Sequence, residues 1–108
     1  MRAFPATLVV LAMLSAPALA QITAEQMAGK TLTLKKSTFV IGADGTMTGK
    51  TDRGETVTGT WEVEGGKWCR TITEPPRLAG SACQTASIKG KTFTITRDDG
   101  TKLDWKMR

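Results

Sequence analysis

The stretch that most restricts this chain runs from Thr58 to Ile72, T-G-T-W-E-V-E-G-G-K-W-C-R-T-I. Two runs of alternating character flank Gly65-Gly66. A two-residue loop of this kind suits a primed hairpin turn, which needs positive φ. That turn sets Glu64 opposite Lys67, Val63 opposite Trp68, Glu62 opposite Cys69 and Trp61 opposite Arg70. Residues directly opposite one another share a sheet face. Trp61, Val63, Trp68 and Ile72 therefore lie on one face, and Glu62, Glu64 and Cys69 on the other. A slip of one residue would bury both glutamates and expose both tryptophans, so the register is strongly specified.

The same period continues along the chain. Leu32, Leu34, Phe39 and Ile41 alternate with threonines and other small residues. Ala43-Asp44-Gly45, Asp52-Arg53-Gly54 and Asp98-Asp99-Gly100 read as three-residue turns with glycine at the positive-φ position. The first two set Ile41 opposite Met47, Phe39 opposite Gly49, Gly49 opposite Val57 and Met47 opposite Gly59. Small residues facing large ones suit a tightly curved sheet. Lys89-Gly90 reads as a two-residue turn pairing Ala86 with Phe93. The last turn pairs Ile95 with Leu103 and Phe93 with Trp105. The expected fold is all-β: an antiparallel up-and-down meander of about eight short strands over residues 30–108, closed or nearly closed into a small barrel. The three tryptophans and their neighbours are expected to fill its interior.

Upstream, Thr23-Ala24-Glu25-Gln26-Met27-Ala28-Gly29 reads as one helical turn within residues 21–29, with Thr23 as N-cap, Gln26 as its capping-box partner and Gly29 as the stop. The first twenty residues read as a signal peptide. Arg2 supplies the positive end, Leu8 to Leu14 an apolar run too short to span a bilayer, and Ala18-Leu19-Ala20 the cleavage site. The expected location is therefore the periplasm or the secreted fraction, with no membrane anchor after cleavage.

Export allows a disulfide, and Cys69 and Cys83 are the only two cysteines. Counting alternation from each side puts both on the outer face, so they are expected to form a cross-strand clamp. With no histidine and no other cysteine, neither a zinc site nor a catalytic thiol has its ligands. No cofactor is implied. Removing Arg2 with the leader takes the net charge from +5 to +4, spread along the chain rather than clustered. That scatter, with no spare aromatics for base stacking, argues against nucleic acid as partner.

Three places carry the functional reading. Arg70 opposite Trp61 is a cation on the apolar face. It reads either as a cation–π stack or as one wall of a barrel-end cavity for a small anionic or apolar ligand. The loop Glu74 to Ser81 is the longest connection, and Pro75, Pro76, Arg77 and Leu78 give it a rigid surface on which a periplasmic protein partner could dock. The third place is a catalytic pair among Asp44, Asp52, Asp98, Asp99 and Asp104. Four of these stand where turns favour aspartate for backbone reasons, and Asp104 alternates outward. The sequence thus reads as a monomeric, non-enzymatic binding module, with the Pro75–Ala79 loop as first candidate surface and the Arg70–Trp61 cavity as the alternative.

Gly59-Thr60-Trp61 resembles the G-x-W signature of lipocalins and avidins, although there it lies on the first strand. A broader pattern covers most of the mature chain: F-x-x-x-x-D-G-T from Phe39 to Thr46, then G-T-W, G-x-x-C-R from Gly66 to Arg70, G-x-x-C from Gly80 to Cys83, and Asp99-Gly100. It is similar to small exported alphaproteobacterial proteins of unknown function. The resemblance implies the disulfide-bonded β-fold and no activity. Some of those proteins bear the label dihydrodipicolinate reductase. This chain has no βαβ glycine fingerprint and too few residues for a nicotinamide domain.

Overall fold

A computed structural model describes residues 21–108. The leader and its cleavage site lie outside the described residues. The chain forms one short helix, α1 (Ala24–Met27), and eight strands: β1 (Thr31–Leu34), β2 (Ser37–Ile41), β3 (Thr46–Lys50), β4 (Thr56–Glu64), β5 (Lys67–Glu74), β6 (Gly80–Lys89), β7 (Thr92–Thr96) and β8 (Lys102–Met107). Each strand pairs antiparallel with the next, and β8 returns to β1, closing the barrel. The seam is short. Leu32 faces Met107, and Thr31 and Arg108 exchange backbone hydrogen bonds of 2.7 and 2.9 Å. Closure leaves no strand edge exposed along this seam.

The central hairpin has the register its sequence demands, with Glu64 opposite Lys67, Val63 opposite Trp68 and Trp61 opposite Arg70. Gly65 and Gly66 have φ of 58° and 78°, both in the region a type I′ turn requires. Phe39 faces Gly49 and Met47 faces Gly59, as alternation predicts. At Gly59 a Cβ would run into the Thr71 carbonyl oxygen and the Ile72 backbone, so the tight bend of β4 against β5 depends on a missing side chain.

One register differs from expectation. Ala86 faces Ile95, and Phe93 faces Ile88, so the β6–β7 turn is Gly90-Lys91 rather than Lys89-Gly90. Gly90 is the residue with positive φ, 61°, and a turn of the Gly-X type places it first. The slip is two residues. It leaves every side chain on its predicted face, so the hydrophobic pattern is blind to it.

α1 follows its capping signal. Thr23 Oγ1 accepts from the Gln26 backbone N–H, and Gln26 Oε1 accepts from that of Thr23. A four-residue helix cannot persist alone. This one is docked: Met27 is fully buried, Ile22 is 3% exposed, and Gly29 N–H donates to the Ile41 carbonyl at 2.7 Å. The segment plugs the barrel end where the β2–β3, β4–β5 and β6–β7 turns gather.

Candidate functional site: the open end of the barrel

The interior is packed unevenly. Towards the plugged end, Trp61 stacks on Trp68 at 5.5 Å between ring centroids, and Trp68 meets Phe93 edge-on at 5.5 Å. Trp61 Nε1–H donates to the Gly42 carbonyl at 2.8 Å, which turns its ring towards the β2–β3 turn. Phe93 and Ile41 are wholly buried. These contacts form a solid core of the expected kind.

The other end is not filled. Phe39, Leu103 and Trp105 face inward by register yet are only partly buried. Phe39 and Trp105 touch edge to face at 5.4 Å, and beside them lies a cavity of about 340 Å³. Its walls also include Leu78, Gln84, Arg70 and Arg97. The expectation of an interior filled by three tryptophans therefore holds for one half only. Trp61 turns to the plugged end, while Trp68 and Trp105 both border the cavity and, with Phe39, do not fill it. The cavity lies within the size range of small-ligand sites, which are mostly apolar with a few polar groups.

Arg70 sits in the cavity wall, half-buried on β5. Its expected stack on Trp61 is not formed among the described residues, because Trp61 has turned away to Trp68 and Gly42. Nor does Arg70 make an ion pair or a side-chain hydrogen bond among them; the salt bridge found joins Arg77 and Glu55. Burial holds its pKa below the ordinary arginine value, and the nearby Arg97 guanidinium adds to the effect. A second polar group is also unmatched: the buried Trp105 Nε1–H has no acceptor among the described residues. Leaving such a donor unpaired costs roughly 1–3 kcal/mol.

The Pro75–Ala79 loop runs across this same end. Pro76–Leu78 form a 3₁₀ turn. Arg77 Nε lies 2.9 Å from both carboxylate oxygens of Glu55, and Nη2 also contacts Oε1, tying the loop to the β3–β4 turn. This pairing lowers the Glu55 pKa and raises that of Arg77. Leu78 packs against the core and lines the cavity. Pro75 and Pro76 hold the turn, while Arg77 and Leu78 are both engaged within the protein.

Cys69 and Cys83 are directly opposite on β5 and β6 and form the disulfide, Cα to Cα 4.0 Å. Cys83 is exposed on the outer face. Cys69 is only 5% exposed but stands outside the tryptophan cluster. Glu64 lies close to both sulfurs, but with the sulfurs bonded to each other this trio offers no thiolate to a metal. The aspartates do not converge among the described residues. Asp44 and Asp99 accept the backbone N–H of Thr46 and Thr101, which lowers their pKa. Asp52 bonds Lys36 N–H and Ser37 Oγ, and Asp104 bonds Thr94 Oγ1.

Sequence reasoning identified Arg70 but missed Gln84 and Arg97 as its neighbours. The signal was present. Phe93 and Ile95 share one face of β7, and the alternation carried one residue past the strand, from Thr85 opposite Thr96, sets Arg97 beside Gln84. No family model, curated protein or solved structure matches the chain.

Proposed function

We propose that this protein is a non-enzymatic binding protein that carries a small ligand in the open half of its barrel. One observation carries the reading: inward-facing Phe39, Leu103 and Trp105 border a cavity of about 340 Å³ that also holds a half-buried arginine without a partner. Inward apolar side chains left partly exposed beside such a space forgo burial that an apolar occupant would supply. The engagement of the aspartates in turns supports a role without catalysis. The disulfide-bonded barrel suits an oxidising compartment such as the periplasm or the extracellular space. The Pro75–Ala79 loop serves this reading as a wall of the site rather than a docking surface for another protein, since Leu78 is turned inward and Arg77 is held by Glu55.

The test is a panel of neutral and charged compounds of about ten heavy atoms, screened by amide and indole NMR shifts. Binders are expected to move the Trp105 indole signal and the Phe39 and Leu103 amides while leaving the Trp61 indole in place. Shifts confined to residues around the disulfide, or no shift from any compound, would remove the carrier reading.

A further inference from the structure

Three neighbouring polar side chains line the otherwise mostly apolar cavity: Arg70 on β5, Gln84 on β6, and Arg97 one residue beyond β7. Ala82 stands opposite Arg70 on the intervening strand, where a methyl group leaves room between the two guanidinium arms. Carboxylates are absent from the cavity lining, and the acids whose bonds are described are committed elsewhere: Glu55 to Arg77, Asp52 to Ser37, Asp104 to Thr94 and Asp99 to Thr101. Arg97 is exposed at the rim, with the Asp99 carboxylate near enough to feel its charge. Arg70 is half-buried and has no ion-pair partner among the described residues. Buried charges are ordinarily paired, and for Arg70 the partner would be an anion from outside.

The rest of the lining is different in kind. Phe39, Ile72, Leu78, Leu103 and Trp105 offer aliphatic and aromatic surface. The cavity is thus amphipathic, a few polar and charged groups set among apolar ones. Its 340 Å³ corresponds to about eleven water volumes at roughly 30 Å³ each. That space can take a chain or ring of about that many heavy atoms.

We propose that the cavity binds a short amphiphile with one acidic head group, the head held by Arg70 and Arg97 with the Gln84 amide, and the apolar body lying against Phe39, Leu103 and Trp105. The assignment deepens the carrier reading and rests on it. A guanidinium fork matches a carboxylate geometrically and remains charged at any physiological pH. Arg70, the more buried of the two, gains most from the head group, because there the charge is least screened by water. Arg97, exposed at the rim, draws the anion in.

The test is titration calorimetry at fixed ionic strength with three probes of equal chain length, octanoate, octanol and octylammonium. Octanoate is expected to bind about ten- to a hundredfold more tightly than octanol, the gain typical of charged hydrogen bonds. Octylammonium should not bind. Arg70→Gln should erase most of the octanoate preference while leaving octanol affinity unchanged, and Arg97→Gln should reduce it by a smaller factor. Arg70→Gln should also raise or preserve the melting temperature of the ligand-free protein, since it removes a desolvated charge beside a like charge. A fall in that temperature would make Arg70 a structural residue and overturn the proposal. Equal binding of octanol and octanoate would overturn the head-group assignment while leaving the carrier reading intact. Failure of both to bind would overturn both.

Discussion

The two halves of the barrel should answer the same kind of substitution in opposite ways. Ala86 and Leu103 both face inward, on β6 and β8. Ala86 is 9% exposed, lies opposite Ile95, and belongs to the packed cluster. Ala86→Leu forces extra methylene groups into filled space, and overpacking of this sort costs about 1–3 kcal/mol. Taking about 2 kcal/mol, and about 4–8 °C per kcal/mol for a domain of this size, the melting temperature should fall by roughly 8–16 °C. Leu103 is half-buried beside a cavity of about 340 Å³. Leu103→Trp adds a volume comparable to that of Ala86→Leu, but it adds it to open space. Its effect should stay within about 0.5 kcal/mol, the range of substitutions that disturb no packing. Thermal melts followed by circular dichroism at neutral pH compare the two directly. If Leu103→Trp costs as much as Ala86→Leu, the open half is packed in solution and the argument for a ligand cavity fails. The same variant should abolish octanoate binding, because its ring takes the ligand's place.

Other consequences follow from single contacts. Replacing both Cys69 and Cys83 by serine opens a 15-residue loop and should lower stability by roughly 3 kcal/mol in the chain-entropy model, read as a shift in the urea midpoint; an unchanged midpoint would mean that the reduced chain keeps its β5–β6 pairing without the bond. Met27→Ala should cost about 2–5 kcal/mol for a fully buried side chain in the plug, and a cost under about 1 kcal/mol in the same urea titration would show that α1 does not close that end. Glu55→Gln tests the latch between the β3–β4 turn and the Pro75–Ala79 loop. The Glu55 pKa is lowered in the folded state, chiefly by its hydrogen bond from Arg77, so its contribution is complete above the ordinary carboxylate range and disappears as pH falls through the depressed value. The variant should therefore be slightly less stable than the parent at neutral pH and indistinguishable from it in strong acid; a gap that widens on acidification would contradict the ion pair.

What the sequence disclosed and what it withheld follow from one property of strands. Alternation tells which face a side chain occupies; with the Gly65-Gly66 turn it set Trp61 opposite Arg70, and it put Cys69 and Cys83 both on the outer face. It does not see a shift of two residues, so the β6–β7 register depended on which residue of Lys89-Gly90-Lys91 opened the turn. Nor does alternation measure volume. Three inward tryptophans looked sufficient to fill a small barrel, but whether they do depends on which way each ring turns. The Trp61 ring is drawn to the plugged end by the Gly42 carbonyl, a contact 19 residues away in sequence and invisible to local pattern. Arg97 was missed because it directly precedes Asp98-Asp99-Gly100 and reads as a turn-flanking charge, although Phe93 and Ile95 point to its inward face. Leu78 lies in a proline-bounded loop with no period, so nothing local showed that it would turn towards the cavity.

The account stands on an amphipathic hollow at the open end of the barrel. Diffraction from crystals soaked with 8-bromo-octanoate tests it most directly, because the bromine's anomalous signal locates the tail and the density locates the head. The carboxylate is expected between Arg70 and Arg97, with bromine among Phe39, Leu103 and Trp105. Bromine on the outer surface above Cys69 and Cys83, or an open half found packed with protein side chains, would contradict it.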